Sequence, residues 1–283
     1  VSRYPIDGGC RLCTLLPEIG ACATSTPRDP DNRPPCGEKA FQDHFIFGHL
    51  SHPLSARNPS ADSGALVRER TVKPCLVVFA REPIPGKVKS RLATGIGPEA
   101  AARVYATVLE HTLETARSSG ARVVLSLADL PSGSWAGNLV VPVEIQRGGD
   151  LGDRMDDAFA RRFSEGEGRI VIVGSDCPWF LATHIAKASA ELSGVEAVLG
   201  PSTDGGYWLV AQRPPGLAMF ERIPWSSHET LARTRKRISS LGGTWSELEE
   251  LVDIDTIEDL EFVLNHPRTP EALRNKLRVA LTK

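Results

Sequence analysis

The stretch Arg169–Pro178, RIVIVGSDCP, constrains the fold of this chain more than any other. Ile170, Val171, Ile172 and Val173 form an unbroken β-branched run, without the alternation of a strand that has one wet face. Such a run suits a strand buried on both faces, as in a parallel sheet covered by helices. Gly174 and Ser175 end it, and Pro178 blocks further pairing. Between them stands Asp176. A carboxylate leaving the C-terminal end of a central parallel strand sits where open α/β sheets bind ligands. Capping of a following helix is the plainer role for it.

Around that strand, elements alternate. Cys75–Ala80 (CLVVFA) reads as a first buried strand. Pro98–Ser118 reads as a helix, with Ala101, Val104, Tyr105, Val108, Leu109, Leu113 and Ala116 at helical spacing and Gly120 as its stop. Strands are expected at Arg122–Leu127 and Val140–Gln146, followed by a helix at Met155–Phe163. After the central strand come a helix at Ala182–Leu192, strands at Glu196–Leu199 and Tyr207–Ala211, and a helix at His228–Leu241. A closing strand at Leu251–Ile254 and helices at Thr256–Leu264 and Glu271–Leu281 complete the order. Alternation of this kind argues an α/β domain with a mostly parallel sheet.

Residues 1–73 read differently from 74–283. Proline recurs at 5, 17, 27, 30, 34, 35, 53 and 59 among Ser, Asn, Asp and Arg, and no period persists. Such composition buries too little apolar surface to offset ordering. The expectation is a disordered or loosely docked extension, with Phe41, Phe45 and Phe47 as a short docking patch. Four of the six cysteines, Cys10, Cys13, Cys22 and Cys36, lie here, with His44, His49 and His52 nearby. A zinc site is conceivable, but the spacing matches no compact finger, and surface thiols are the reading adopted. Val1 in place of Met leaves open an over-extended reading frame. A formal net charge of −2 provides no basic field for nucleic acid. No apolar run reaches the ~18 residues of a membrane span. No basic stretch followed by an apolar one opens the chain, so a secretory signal is not expected and the cytoplasm is. Oligomeric state is not legible.

Two groups of residues carry chemistry. The first strand runs into REPIPGKVKSRL, where Gly86 lets backbone approach a ligand and Lys87, Lys89 and Arg91 add positive charge. Phosphate oxygens want backbone N–H donors plus cations, and Arg can bind two oxygens at once. The P-loop pattern is absent. The second group is acidic: Asp176, Asp204 within Ser202–Gly206, and Asp253 and Asp255 at the end of the last expected strand. Oxygen ligands of this kind suit Mg²⁺ or Mn²⁺ bridging to phosphates. For Asp255, helix capping and metal binding are both open, since Asp255-Thr256-Ile257-Glu258-Asp259 also reads as a helix start. Tyr207 or Trp208 could form a platform for sugar or acceptor, or pack in the core. Strand alternation lets only one of them face a site.

From about Leu76 to Leu260 the chain resembles the DUF2064 family of GT-A-fold transferases, often described as glycosyltransferases. The resemblance rests on VFAREPIPGKVKSRL, QRGGDLGDRM, VIVGSDCP, GPSTDGGYWLV, IPWS and DIDTIEDL. The KSRL and DIDTIEDL pieces are also similar to phospholactate and molybdopterin guanylyltransferases. What this implies is a nucleotide-diphospho-sugar transferase-like α/β/α fold and a metal-dependent transferase. Its donor would be a nucleotide sugar, with an unidentified small-molecule acceptor. Nucleotidyl transfer from an NTP is the alternative, and a catalytically silent nucleotide-binding module the alternative of another class. The resemblance gives phosphates to Arg81, Gly86, Lys87, Lys89 and Arg91. It gives base or ribose to Gln146, Gly148, Gly149 and Asp150. Asp176 takes the metal-binding position, with Asp204 or Asp255 completing the site, and Asp176 and Asp204 serve as catalytic candidates. Gly205, Gly206, Tyr207 and Trp225 fall on the sugar or acceptor side. Where a glycosyltransferase D-x-D would stand, the chain reads Asp176-Cys177-Pro178, so the second carboxylate is missing.

Overall fold

A strand buried on both faces must divide its side chains between two interiors, and β1 (Cys75–Ala80) does so. Leu76, Val78 and Ala80 enter one core, and Cys75, Val77 and Phe79 the other. The strand β4 (Ile170–Val173) is split the same way, with Val171 and Val173 on the first side and Ile170 and Ile172 on the second. The first core is closed by α1 (Ser90–Ile96), α2 (Pro98–Ser118), α4 (Ala182–Glu191), α6 (Ile257–Asn265) and α7 (Glu271–Thr282). The second is closed by α3 (Leu151–Ser164) and α5 (Thr230–Ser240). The result is a three-layer α/β/α sandwich. This computed structural model describes residues 73–132 and 135–282. The expectations for residues 1–72, including the extension, its cysteines, histidines and phenylalanines, lie outside the described residues.

Among the described residues the sheet has seven strands, in the order β3-β2-β1-β4-β6-β5-β7. The remaining members are β2 (Arg122–Leu127), β3 (Val143–Ile145), β5 (Ala197–Pro201), β6 (Tyr207–Gln212) and β7 (Trp245–Glu247). Among the described strands only β6 runs antiparallel to its neighbours; the other pairings are parallel. The C-terminal ends of β1, β2, β3 and β4 therefore share one edge, where the start of β6 also lies. No described helix is long and apolar enough to cross a membrane.

The structure departs from the expected elements where local signals are weak. The expected strand Leu251–Ile254 makes a single bridge, Leu251 to Ser202. Its edge position beside β5 goes to β7, a three-residue strand too short to show a period. Ile254 N–H instead donates to the Asp176 carbonyl at 3.1 Å, which carries the next residues to the end of β4. The short helix α1 buries only Leu92 and so leaves no apolar stripe to read. α3 begins at Leu151, ahead of the expected start, because the Asp150 carboxylate caps it by accepting from Asp153 N–H at 2.9 Å. β3 is shorter than expected at its first end, where Val140 is exposed and Pro142 cannot donate to a ladder.

Candidate functional site

A cleft of about 720 Å³ opens at the C-terminal ends of these parallel strands. The loop after β1 forms one wall. Lys87 N–H donates to Ile84 carbonyl at 3.0 Å across Pro85 and Gly86, and Gly86 has φ 76°. Proline followed by a residue at positive φ is the signature of a type II turn. The turn presents Arg81, Gly86, Lys87, Lys89 and Arg91 to the cleft. Arg81 and Lys87 are exposed, and the Arg91 side chain is 70% exposed.

Lys89 is different. Its backbone is left-handed, at φ 50° and ψ 49°, and its side chain is only 8% exposed. The ammonium lies 2.7 Å from Asp255 Oδ1 and 3.0 Å from Asp176 Oδ2. Arg91 Nη2 reaches the other Asp255 oxygen at 3.3 Å. Burial by itself would make the ammonium easier to deprotonate, but the two carboxylates override it and hold Lys89 charged. The lysine expected to meet phosphate is thus already paired inside the protein.

Tyr105, on the apolar stripe of α2, ties the two loops together. Its hydroxyl accepts from Arg81 N–H at 2.9 Å and lies 2.9 Å from Ser175 Oγ. A buried tyrosine needs a partner for its hydroxyl. That was the available signal for a role that periodicity alone assigned to packing.

The acidic residues sort into three situations. Asp176 Oδ2 holds Lys89, while Oδ1 is buried without a partner among the described residues. Asp255 is not the helix cap: Thr256 caps α6 in a capping box with Asp259, whose carboxylate also accepts from Asp255 N–H at 3.1 Å. The Asp255 carboxylate is thereby left for Lys89 and Arg91. Asp253 lies behind the cleft, accepting from Ser202 Oγ at 2.6 Å. Burial, reinforced by the Asp176 charge and opposed by the Ser202 hydrogen bond, pushes its carboxyl up to about 7. A carboxyl that binds its proton more tightly when folded contributes stability below its ordinary range, near 4, and loses it as pH rises toward 7. Asp253→Asn is accordingly expected to stabilise the protein at pH 8 by on the order of 1 kcal/mol and to change little at pH 4. Thermal melts at the two pH values check this.

The carboxylates raise the question of Mg²⁺ or Mn²⁺, which need oxygen ligands around clear coordination space. The point between Asp176 and Asp255 is taken by Lys89 Nζ. Among the described residues, no three His, Cys, Asp or Glu side chains converge as a ligand group. In this arrangement the two carboxylates do not fit a divalent cation between them, because Lys89 Nζ fills the place where it would coordinate.

The second loop contributes Gln146 and Asp150 to the cleft, and with them Leu151 and Arg154, which the sequence reading passed over. Gln146 is oriented by donating to the Ser126 carbonyl at 2.8 Å. Gly148 and Gly149 are not among the lining residues. Gly149 N–H is spent on the Asp153 carboxylate at 3.0 Å, within the first turn of α3. Trp225 does line the cleft. Its indole packs over Gly152, where a Cβ would stand 2.7 Å from the ring.

Asp204, Gly205, Gly206 and Tyr207 are not brought into the cleft. The exposed Asp204 carboxylate accepts from Gly206 N–H at 2.8 Å, closing its own turn. Gly205 is pressed against His228 and accepts from Leu231 N–H at 2.9 Å. Tyr207 packs in the second core, edge-on to Trp225 with ring centroids 6.5 Å apart. Trp208 points to the first core, as alternation requires.

Residues 111–227 match the family model DUF2064, described as an uncharacterized protein conserved in bacteria. The resemblance read from VIVGSDCP and GPSTDGGYWLV therefore holds over that segment. A structure from Desulfovibrio desulfuricans G20, provisionally assigned as a nucleotide-diphospho-sugar transferase, is similar at 26% identity. The alignment covers 74% of this chain and 96% of that one, with a TM-score of 0.68. Rv0371c from Mycobacterium tuberculosis H37Rv aligns at 19% identity over 69% of this chain and 99% of its own, with a TM-score of 0.47. The inositol-1-phosphate CTP transferase of T. maritima aligns at 12% over 75% and 97%, with a TM-score of 0.43. No curated protein matches this chain.

Proposed function

We propose that this chain, with its DUF2064 segment and a transferase-like fold, is a transferase acting on a nucleotide-activated donor, most simply a nucleotide sugar. The observation that carries the reading is the convergence of Arg81, Lys87, Lys89 and Arg91 with Asp176 and Asp255 in one cleft. The donor would lie along the strand ends, with its base or ribose toward Gln146 and Asp150 and its diphosphate toward the loop after β1. The likeness to the Desulfovibrio structure supports this choice of donor. Trp225 supplies an apolar wall on the acceptor side. Mg²⁺ or Mn²⁺ belongs to this reading only as a companion of the polyphosphate, since the described side chains offer it no seat of their own.

Incubation with a panel of nucleotide sugars and NTPs tests the reading. The expected result is release of nucleoside diphosphate, lowered about 100-fold by Asp176→Asn, the cost of misplacing a reacting group by about an ångström. Release of pyrophosphate from an NTP would move the assignment to nucleotidyl transfer. Binding without turnover across the panel would make the protein a silent nucleotide-binding module.

A further inference from the structure

The group at the floor of the cleft has the layout of a metal centre with an ammonium at its middle. Two carboxylates from segments far apart in the chain point at one position, and Lys89 Nζ occupies it at 2.7 and 3.0 Å. Each carboxylate is directed there by its own backbone arrangement. Ile254 N–H holds the Asp255 segment to the Asp176 carbonyl, and the Thr256–Asp259 capping box relieves Asp255 of capping. Lys89 reaches the position from a left-handed backbone, which a side-chain-bearing residue keeps only when the surrounding structure enforces it. After β4 the chain offers a single carboxylate, since Cys177 and Pro178 follow Asp176. A divalent ion entering between Asp176 and Asp255 would meet the repulsion of the Lys89 ammonium.

We propose that Lys89 is the resident cation of this cleft, taking the place of a divalent metal between Asp176 and Asp255 and presenting its ammonium to the donor phosphates. The phosphate half of this proposal rests on the donor reading above; the cation half does not.

The test uses the full chain without nucleotide and follows free Mn²⁺ by electron paramagnetic resonance. Wild-type protein is expected to leave the free Mn²⁺ signal unchanged. Lys89→Met, which keeps the aliphatic stem and removes the charge, is expected to gain Mn²⁺ binding by at least about tenfold. Adding Asp176→Asn to that variant is expected to abolish the gain. Stoichiometric Mn²⁺ uptake by wild type that Asp176→Asn removes would overturn the proposal, as would a folded Lys89→Met variant that gains nothing. If Lys89→Met does not fold, the wild-type titration decides alone. In a second arm, pyrophosphate is titrated by calorimetry in EDTA. Wild type is expected to bind it, and Lys89→Met to bind at least about tenfold more weakly. Binding by wild type only when Mg²⁺ is present would overturn the phosphate half. If pyrophosphate binds under neither condition, the donor reading fails, while the Mn²⁺ arm still decides which cation resides in the cleft.

Discussion

Gly205→Ala is expected to cost about 3 kcal/mol or more, a loss large enough to trace to one named cause. Gly205 has φ 87°, where a Cβ is strained whatever the space around it. Here the space is also filled: the Cβ would stand 2.2 Å from the His228 carbonyl oxygen and 2.6 Å from its Cα. Those atoms are backbone and cannot rotate aside. Gly205 also accepts from Leu231 N–H and donates to the Ser202 carbonyl, so the turn before β6 and the entry to α5 must shift together. α5 places Leu231 and Ile238 in the second core, and their packing would be disturbed. In thermal melts a loss of this size lowers the midpoint of a domain this long by about 6–12 °C. Gly86→Ala is the matched control. Its φ is 76°, but no atom of the described residues lies within 4 Å of the added Cβ, so only backbone strain of about 1 kcal/mol applies. Similar losses in the two variants would show that the His228 contact does not set the cost.

The second large effect is expected at Lys89. Removing one partner of a buried ion pair leaves an uncompensated charge and costs about 3–5 kcal/mol when the site is fully enclosed. Here the Asp176 and Asp255 side chains keep 38% and 28% of their exposure, and water softens the penalty. Lys89→Met should then cost about 2–3 kcal/mol at pH 7. The pH dependence follows from Asp255. Burial by itself would raise its carboxyl, but the Lys89 ammonium, helped by Arg91, holds it below the ordinary carboxylate range. A carboxylate depressed in the folded state contributes stability above its ordinary value and loses it as pH falls through the folded value. Wild type and Lys89→Met should therefore differ most near neutrality and converge in acid, where both carry a protonated Asp255. Mn²⁺ should raise the melting temperature of the variant and leave wild type unchanged. A Lys89→Met melt identical to wild type at pH 7 would mean that the ion pairs stabilise nothing.

Much of this protein was legible before any coordinates. β1 and β4 declared two-sided burial through runs with no polar break, and the two cores on either side of the sheet are the direct consequence. α2 was readable from its spacing because it buries one continuous stripe. The loops after β1 and β4 could be named as ligand-facing because parallel strands send their C-terminal ends to one edge. These are signals within a few residues of one another, and they survive whatever the rest of the chain does.

The pairing of charges is of another kind. Lys89 and Asp255 are 166 positions apart, and the sequence left Asp255, inside the cleft, and Asp204, outside it, as equal candidates for the site. That choice was made by a hydrogen bond from Ile254 to the end of β4, by Thr256 rather than Asp255 serving as the cap, and by a glycine that turns Asp204 back on itself. Composition put lysine in a loop that suits phosphate. Only the tertiary structure drew its ammonium inward, because a charge with a nearly buried side chain is stable only where opposite charges, carried by distant segments, are held within about 3 Å.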